Sequence, residues 1–388
     1  MATHADAMLD LRPGARGLAA ATPGPLAVAG PLIAFACLAF VVLDSPLGTG
    51  RVIGIALALV GGLAAFSLGS ARAAWRAFVQ LFAGSVGIVV GFGYGAQRLA
   101  EGNLWLALLT LAAAVVSMAV LVVGAYRAIR LTPGWWRLLA LPAAFVLSQF
   151  VLMPATFGTT GVHGLRTPLT VAPPAGATTV SFVASQGVDL HAWYTAGDNG
   201  AAVVLLPGAG GNRGSTVDHA RALADLGYGV LAVDARGTAD SGGYNNLWGW
   251  EGTTDVAAAV DWLSRQPEID RGRIGLVGLS MGGEQALTAA PNVAGVQAVV
   301  SEGVQARVPA DVWYIDDGFR GWIERTVSTV QWTVADLWTE TSPPPSLRDI
   351  AVRLGSTPVL IIAADAPDER AVSADLAQRA RAAEVWQT

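Results

Sequence analysis

Hydrophobic and polar positions divide this chain into two regimes. Over the first 157 residues the apolar positions come in long unbroken runs, 26–43, 52–69, 78–97, 104–124 and 138–157. Each is about 17–21 residues, close to the length a helix needs to cross the hydrocarbon core of a bilayer. A helix on a soluble core keeps a polar face, and these runs have none. The pattern therefore predicts five transmembrane helices over 26–157, after a tail of residues 1–25. The stretch "GSVGIVVGFGYG" in the third run sets small residues where helices can approach closely in lipid. Pro31 in the first run admits a signal sequence as the alternative; four further runs favour a retained anchor.

Beyond residue 157 the pattern changes. "TPLTVAPPAGATT" is rich in Pro and Thr and carries no charge, so 158–177 reads as a linker. From 178 onward, short apolar strands alternate with amphipathic helices. "TVSFVAS" and "VDLHAWYT" predict a hairpin turning at Gly187. "AAVVLLP", "YGVLAVD", "RIGLVGL", "VQAVVSE" and "TPVLIIAA" predict later strands, and "EVWQT" the beginning of another. Between them "STVDHARALADLG", "TTDVAAAVDWLSRQ", "MGGEQALTAA" and "ERAVSADLAQRARA" predict helices. Such alternation implies a mostly parallel, doubly wound α/β sheet covered on both faces. Residues 304–350 interrupt it. There Ile323, Val327, Val330, Val334 and Leu337 mark one face of a helix, and Trp313, Trp322, Trp332 and Trp338 add aromatic area. A lid over an apolar acyl pocket, packing on the sheet and contact with a bilayer interface all fit this segment.

Charge sharpens the division. Residues 1–160 hold nine Arg against four acidic residues, and 161–388 hold fifteen Arg against twenty-five, with no Lys anywhere. The acidic rear half argues against a nucleic-acid partner. Arg12 and Arg16, Arg72 and Arg76, and Arg127, Arg130 and Arg137 fall in alternate short segments, whereas the others hold only Arg51 and Arg98. The positive-inside rule then puts the N-terminus in the cytoplasm and, with five spans, the rear domain outside a multi-pass cell-membrane protein. The single Cys37 precludes an internal disulfide. No acidic residue lies well inside spans two to five, so a proton-coupled transporter is not supported.

Three segments carry chemistry. In "GLSMGG", Ser280 stands between Gly278 and Gly282, which permit a sharp strand-to-helix turn that lifts Oγ above the sheet. The Met281 amide opens the next helix and points at an oxyanion formed there. In "LLPGAGGNRG" the Ala209 amide is the second candidate donor. "VDARGTADSGG" supplies a third Gly-rich turn. An ordinary Gly-rich βα turn is the bland reading. Nucleotide binding is disfavoured because a Walker loop needs a Lys and Arg213 stands where a third Gly belongs.

In this order the motifs resemble those of α/β-hydrolases, most similar to the serine aminopeptidase and esterase branches, from about Thr178 to the end. Pro207 replaces a more usual His, and Ala239 a more usual Gly. The resemblance implies a nucleophile at Ser280 and an acid just beyond the seventh strand. Asp368 is favoured, with Asp365 next and Glu369 also a candidate; both Asp368 and Glu369 could equally begin a helix, where acids suit the dipole. Asp234 and Asp240 are expected to hold loops. The resemblance also implies a histidine after the eighth strand, and no histidine follows Ser280. His4, His163, His191 and His219 read as surface or packing residues, so the catalytic His is expected beyond Thr388. The histidines and the cysteine give no metal spacing, and no cofactor is implied. The expected function is a membrane-anchored serine hydrolase for esters, amides or peptides, incomplete as it stands for want of the imidazole. A non-catalytic binding or sensing domain on a membrane anchor is the alternative.

Overall fold

The computed structural model describes residues 73–388, apart from 101, 133, 140–141, 143–145, 147 and 315–317, together with Ala36 and Ala39. Apart from Ala36 and Ala39, the first two predicted spans lie outside the described residues.

Two long apolar helices open the described chain, α1 (Ala73–Ala100) and α2 (Leu104–Leu131). Within them Trp75–Ala96 and Leu104–Leu131 are long and apolar enough to cross a membrane. The small residues act as expected. A Cβ on Gly84 would lie 2.7 Å from the Leu121 backbone, and one on Gly91 2.7 Å from Ala114 Cβ. Only glycine permits this approach. The fifth predicted run is described only in part. A 3-10 turn at Gly134–Leu139 overlaps its start, and a π-helical turn at Ser148–Leu152 leads into α3 (Met153–Gly161), which carries Pro154 in its first turn. A proline there lacks the amide a longer helix would need, so it suits a helix start. The described residues therefore show two candidate spans of the five expected.

The rear domain is built on an eight-stranded sheet, β1 (Thr178–Val183), β2 (Asp189–Thr195), β3 (Ala202–Leu206), β4 (Gly229–Val233), β5 (Ile274–Leu279), β6 (Val296–Glu302), β7 (Val359–Ala363) and β8 (Ala383–Gln387). Their order is β1-β2-β4-β3-β5-β6-β7-β8. Strand β2 runs antiparallel to β1 and β4, and the remaining pairs are parallel. The hairpin turns at Gly187, with φ +71°. The crossover helices are α4 (Val217–Asp225), α5 (Gly252–Leu263), α6 (Met281–Ala289), α7 (Phe319–Leu337) with α8 (Leu347–Arg353), and α9 (Pro367–Arg379). This is the α/β-hydrolase arrangement that the motifs imply.

Right-handed crossovers explain the layers. From β3 the chain steps to β4 in one direction, and from β5 to β8 it steps in the other. Helix α4 therefore packs on one face, with Ala220 against Val203, Leu205, Val230 and Ala232. Helices α5, α6, α8 and α9 pack on the opposite face around Leu206, Leu231, Leu276 and Ile361. Every residue of β3 and β4 is buried, which accounts for their unbroken apolar sequences. On β5 and β7 alternate residues are only half-buried, because α4 does not reach that far. The strand order reverses between β3 and β5, and ligands of such sheets bind at the carboxyl ends of strands beside that reversal.

Three segments differ from the sequence expectation. The helix predicted from Ser215 begins at Val217, after a 3-10 turn (Arg213–Thr216) capped by the Asn212 side chain, which accepts from the Gly214 amide. The 158–177 segment, read as a linker, carries hydrogen bonds to the rear domain that the sequence did not show. Thr167 accepts the Ala239 amide at 2.9 Å, Arg166 donates to the Ala239 and Ser241 carbonyls, and Asn212 donates to those of Thr167 and Pro168. Finally, α7 buries Gly321, Trp332 and Ala335, while Leu337 is 55% exposed. The buried face is rotated because α7 packs on α3 as well as bounding a cavity. A Cβ on Gly158 of α3 would meet the Gln331 carbonyl at 2.2 Å. Val79, Ala83 and Val90 of α1, Ala113 of α2, and Trp332, Ala335 and Trp338 share one core, with Tyr94 edge-on to Trp338 at 4.8 Å.

Candidate active site

The β5–α6 turn has the geometry of a nucleophile elbow. Ser280 takes φ +49° and ψ −119°, a conformation L-residues avoid. Its amide donates to the Glu302 carbonyl at 2.6 Å, and its carbonyl accepts from the Gly283 amide at 2.8 Å. The flanking glycines leave no room for a side chain. A Cβ on Gly278 would lie 2.1 Å from the Gly282 carbonyl oxygen, and one on Gly282 2.3 Å from that of Leu206. Helix α6 is thus pressed onto β3 and β5, and Ser280 projects at the sheet's edge. The Met281 amide is the first of α6 and has no intrahelical acceptor.

The oxyanion loop packs against this turn. A Cβ on Gly208 would lie 3.6 Å from Ser280 Cβ, and the loop is closed by the Gly211 amide donating to the Gly208 carbonyl at 2.8 Å. Ala209 is at the exposed tip between them. A buried ion network holds the loop's far side. Arg213 pairs with Asp234 and Asp240, and the Asp234 carboxylate also accepts the Arg213 amide at 2.9 Å. Burial pushes the Asp234 carboxyl upward, and Arg213 opposes it. The Thr238 hydroxyl lies 2.9 Å from the Gly211 carbonyl, and Arg213 stacks over Trp193 at 5.2 Å. Asp234 and Asp240 therefore hold loops, as expected. The roles of Asn212, Arg213 and Thr238 were missed, although their place inside two of the motifs was a signal.

The three acid candidates separate. Asp365 points outward, 76% exposed, and pairs with Arg370 at 2.8 Å. Asp368 and Glu369, in the first turn of α9, both line a cavity of about 650 Å³. Glu369 Oε1 accepts the Ala364 amide at 3.2 Å and lies 3.7 Å from where a Cβ on Gly303 would be; the same point is 3.8 Å from Ser280 Cα. The cavity continues under α7 along Val304, Val312, Val327 and Trp332, and reaches Phe150 and Met153.

Beneath the cavity floor sits a second buried cluster that sequence reasoning missed. Glu284 Oε1 accepts the Gln305 amide at 2.7 Å and faces Arg307 at 3.9 Å. Asp311 accepts the Arg307 and Leu347 amides. Burial raises the Glu284 carboxyl to about 7, against the pull of Arg307. The cluster fixes the 304–311 turn; Glu284, four residues after Ser280 on α6, was its only sequence signal.

No histidine among the described residues stands at the carboxyl ends of β5, β6 or β7. His191 is on β2, separated from β5 by β4 and β3, and His219 is on α4. His163 follows α3 and is 3% exposed, edge-on to Tyr244 at 5.1 Å. His4 lies outside the described residues. Among the described residues no three His, Cys, Asp or Glu side chains gather as a metal site.

Comparison with known proteins gives this geometry a family. Over 112 residues the chain is 37% identical to the uncharacterized protein Rv2307c of Mycobacterium tuberculosis, covering 28% of this chain and 39% of that one. Over 85 residues it is 39% identical to the uncharacterized protein PA2218 of Pseudomonas aeruginosa, covering 21% and 23%. The chain thus spans about two-fifths or less of these relatives. Among solved structures, an esterase of Pyrococcus furiosus, Pf2001, overlaps 58% of this chain and 89% of its own at 21% identity, with a TM-score of 0.42. The pattern of the X-Pro dipeptidyl-peptidase (S15) family matches residues 169–388, more than half of the chain, and the protein belongs to that family.

Proposed function

We propose that the protein is a membrane-held serine hydrolase that cleaves esters, amides or peptides through an acyl-enzyme. The carrying observation is Ser280 at φ +49°, with the Met281 amide and the Gly208–Gly211 turn packed against it. Ser280 Oγ bonds to the substrate's carbonyl carbon and its proton passes to an imidazole. The Met281 and Ala209 amides hold the oxyanion at the carboxyl ends of β3 and β5. The alcohol or amine then leaves with that proton, and water releases the acid by the reverse sequence. Asp368, on the cavity wall, is the acid that orients the imidazole; Glu369 is the neighbouring alternative.

No histidine follows Ser280 in these 388 residues. Slow turnover that added imidazole raises is accordingly expected. The test is p-nitrophenyl butyrate hydrolysis by the purified chain across an imidazole titration, with Ser280→Ala subtracted. General-base catalysis is worth about 10²–10⁴-fold, so a rise of at least about tenfold that depends on Ser280 is expected. No such rise would favour the second reading, a binding or sensing domain on a membrane anchor, which the missing histidine motivates. A multi-pass location with the rear domain outside the cytoplasm belongs to the same proposal, supported by the distribution of Arg among the short loops.

A further inference from the structure

We infer that the substrate is a membrane amphiphile, an uncharged long-chain acyl ester whose tail lies in the cavity beneath α7. This names a substrate class for the hydrolase reading and rests on it. The cavity, about 650 Å³, is within the roughly 300–1,000 Å³ of small-molecule sites. Asp368, Glu369 and Val304 line it, and Val304 follows Gly303, which abuts Ser280. Its apolar wall is formed by Val312, Ile323, Val327 and Trp332, and by Met153 at the start of α3. Gln149, Gln305, Tyr314 and Ser328 interrupt this wall, but most of the lining is apolar and suits an alkyl chain.

Position and charge point the same way. The apolar wall joins the membrane-side helices, because α7 and α3 pack on each other and share a core with α1 and α2. On α7 outside the cavity Phe319 is 76% exposed and Trp322 54%; the two rings stack at 5.9 Å, and Phe150, which lines the cavity, lies 6.0 Å from Trp322. Exposed aromatics of this kind sit at the level of lipid headgroups. Asp368 and Glu369 line the cavity without any Arg among its lining residues, whereas Glu324, also on its wall, is paired with Arg320. An anionic head is therefore repelled and a neutral one accepted. The Trp332 indole N–H, 6% exposed, has no acceptor among the described residues.

The test uses the full chain in phosphatidylethanolamine–phosphatidylglycerol vesicles, with a trace of monoacylglycerol carrying a terminal diazirine. After irradiation, cross-links are mapped by mass spectrometry. They are expected on Met153, Val312 or Val327, and to fall several-fold with Val327→Trp, which fills the cavity. Ile323→Ala, a milder change, is expected to shift the preferred chain to a longer one. A phosphatidic acid probe of the same length is expected to compete several-fold less well. Cross-links confined to the outward residues Phe78, Phe82 and Val115, indifferent to both variants and to chain length, would overturn the inference by showing lipid contact without a bound substrate. Ser280→Ala is expected to keep the cross-link, so binding in the cavity is judged separately from whether Ser280 reacts.

Discussion

At Ser280 the backbone is held in a conformation that costs on the order of 1–3 kcal/mol, and its neighbours are chosen to sustain it. Gly282→Ala sets a methyl 2.3 Å from the Leu206 carbonyl, backbone against backbone. Loss of folded protein, or an apparent melting point lowered by more than a core Leu→Ala change produces, is the expected result in a thermal-shift assay. Ala239 presents the reverse case. It has φ +41°, a region that favours Gly, and is held there by Thr167 and Arg166. An L-residue in that region costs roughly 1–2 kcal/mol, so Ala239→Gly is expected to raise the melting point rather than lower it. The acid assignment is tested at the same scale. In imidazole-assisted hydrolysis, Asp368→Asn is expected to cost about tenfold or more and Asp365→Asn to change little, since Asp365 faces solvent and Arg370. The glycines and Ser280 were legible because a tight turn admits few residue types. The choice among Asp365, Asp368 and Glu369 was not, because the three are close in sequence and only the α9 turn decides which way each points.

Elements were legible where one pattern dominated. The unbroken apolar runs of β3 and β4 told of strands buried on both faces, and Gly187 marked the hairpin turn. The failures share a cause: partners distant in sequence. The apolar face of α7 is rotated from its periodic expectation because Gly158 lets α3 come close. The bonds from Asn212 and Ala239 that hold the linker segment come from more than forty residues away. His163, at the end of α3, shows what this junction costs in acid. Burial lowers its imidazole to about 4, chiefly by desolvation, although a hydrogen bond with the Thr159 backbone favours the charged form. Between pH 6.5 and about 4 the unfolded chain binds a proton that the folded chain does not. The contribution is therefore fully present above about pH 6.5 and is lost as pH falls toward 4, at most about 3 kcal/mol. His163→Gln is expected to shrink the fall in melting point between about pH 7 and about pH 5. Glu284, raised to about 7, works in the opposite sense but is common to both proteins. An unchanged pH profile would remove His163 from the account.

In the molecule as a whole, an apolar front is joined to an α/β-hydrolase domain through one shared core. The proposed sidedness makes a prediction at that scale. In a bacterial host, alkaline phosphatase fused after Thr179 is expected to be active, and green fluorescent protein at the same position dark. The opposite pattern would mean an even number of spans and a cytoplasmic domain. The central claim, that Ser280 is a nucleophile, is tested most directly by covalent labelling. The full chain in membranes is treated with a fluorophosphonate in the presence of imidazole, digested, and the modified peptide sequenced by mass spectrometry. A single adduct on Ser280 is predicted, faster with imidazole and absent from Ser280→Ala. Equal labelling of the two proteins, or an adduct on another serine alone, would contradict it.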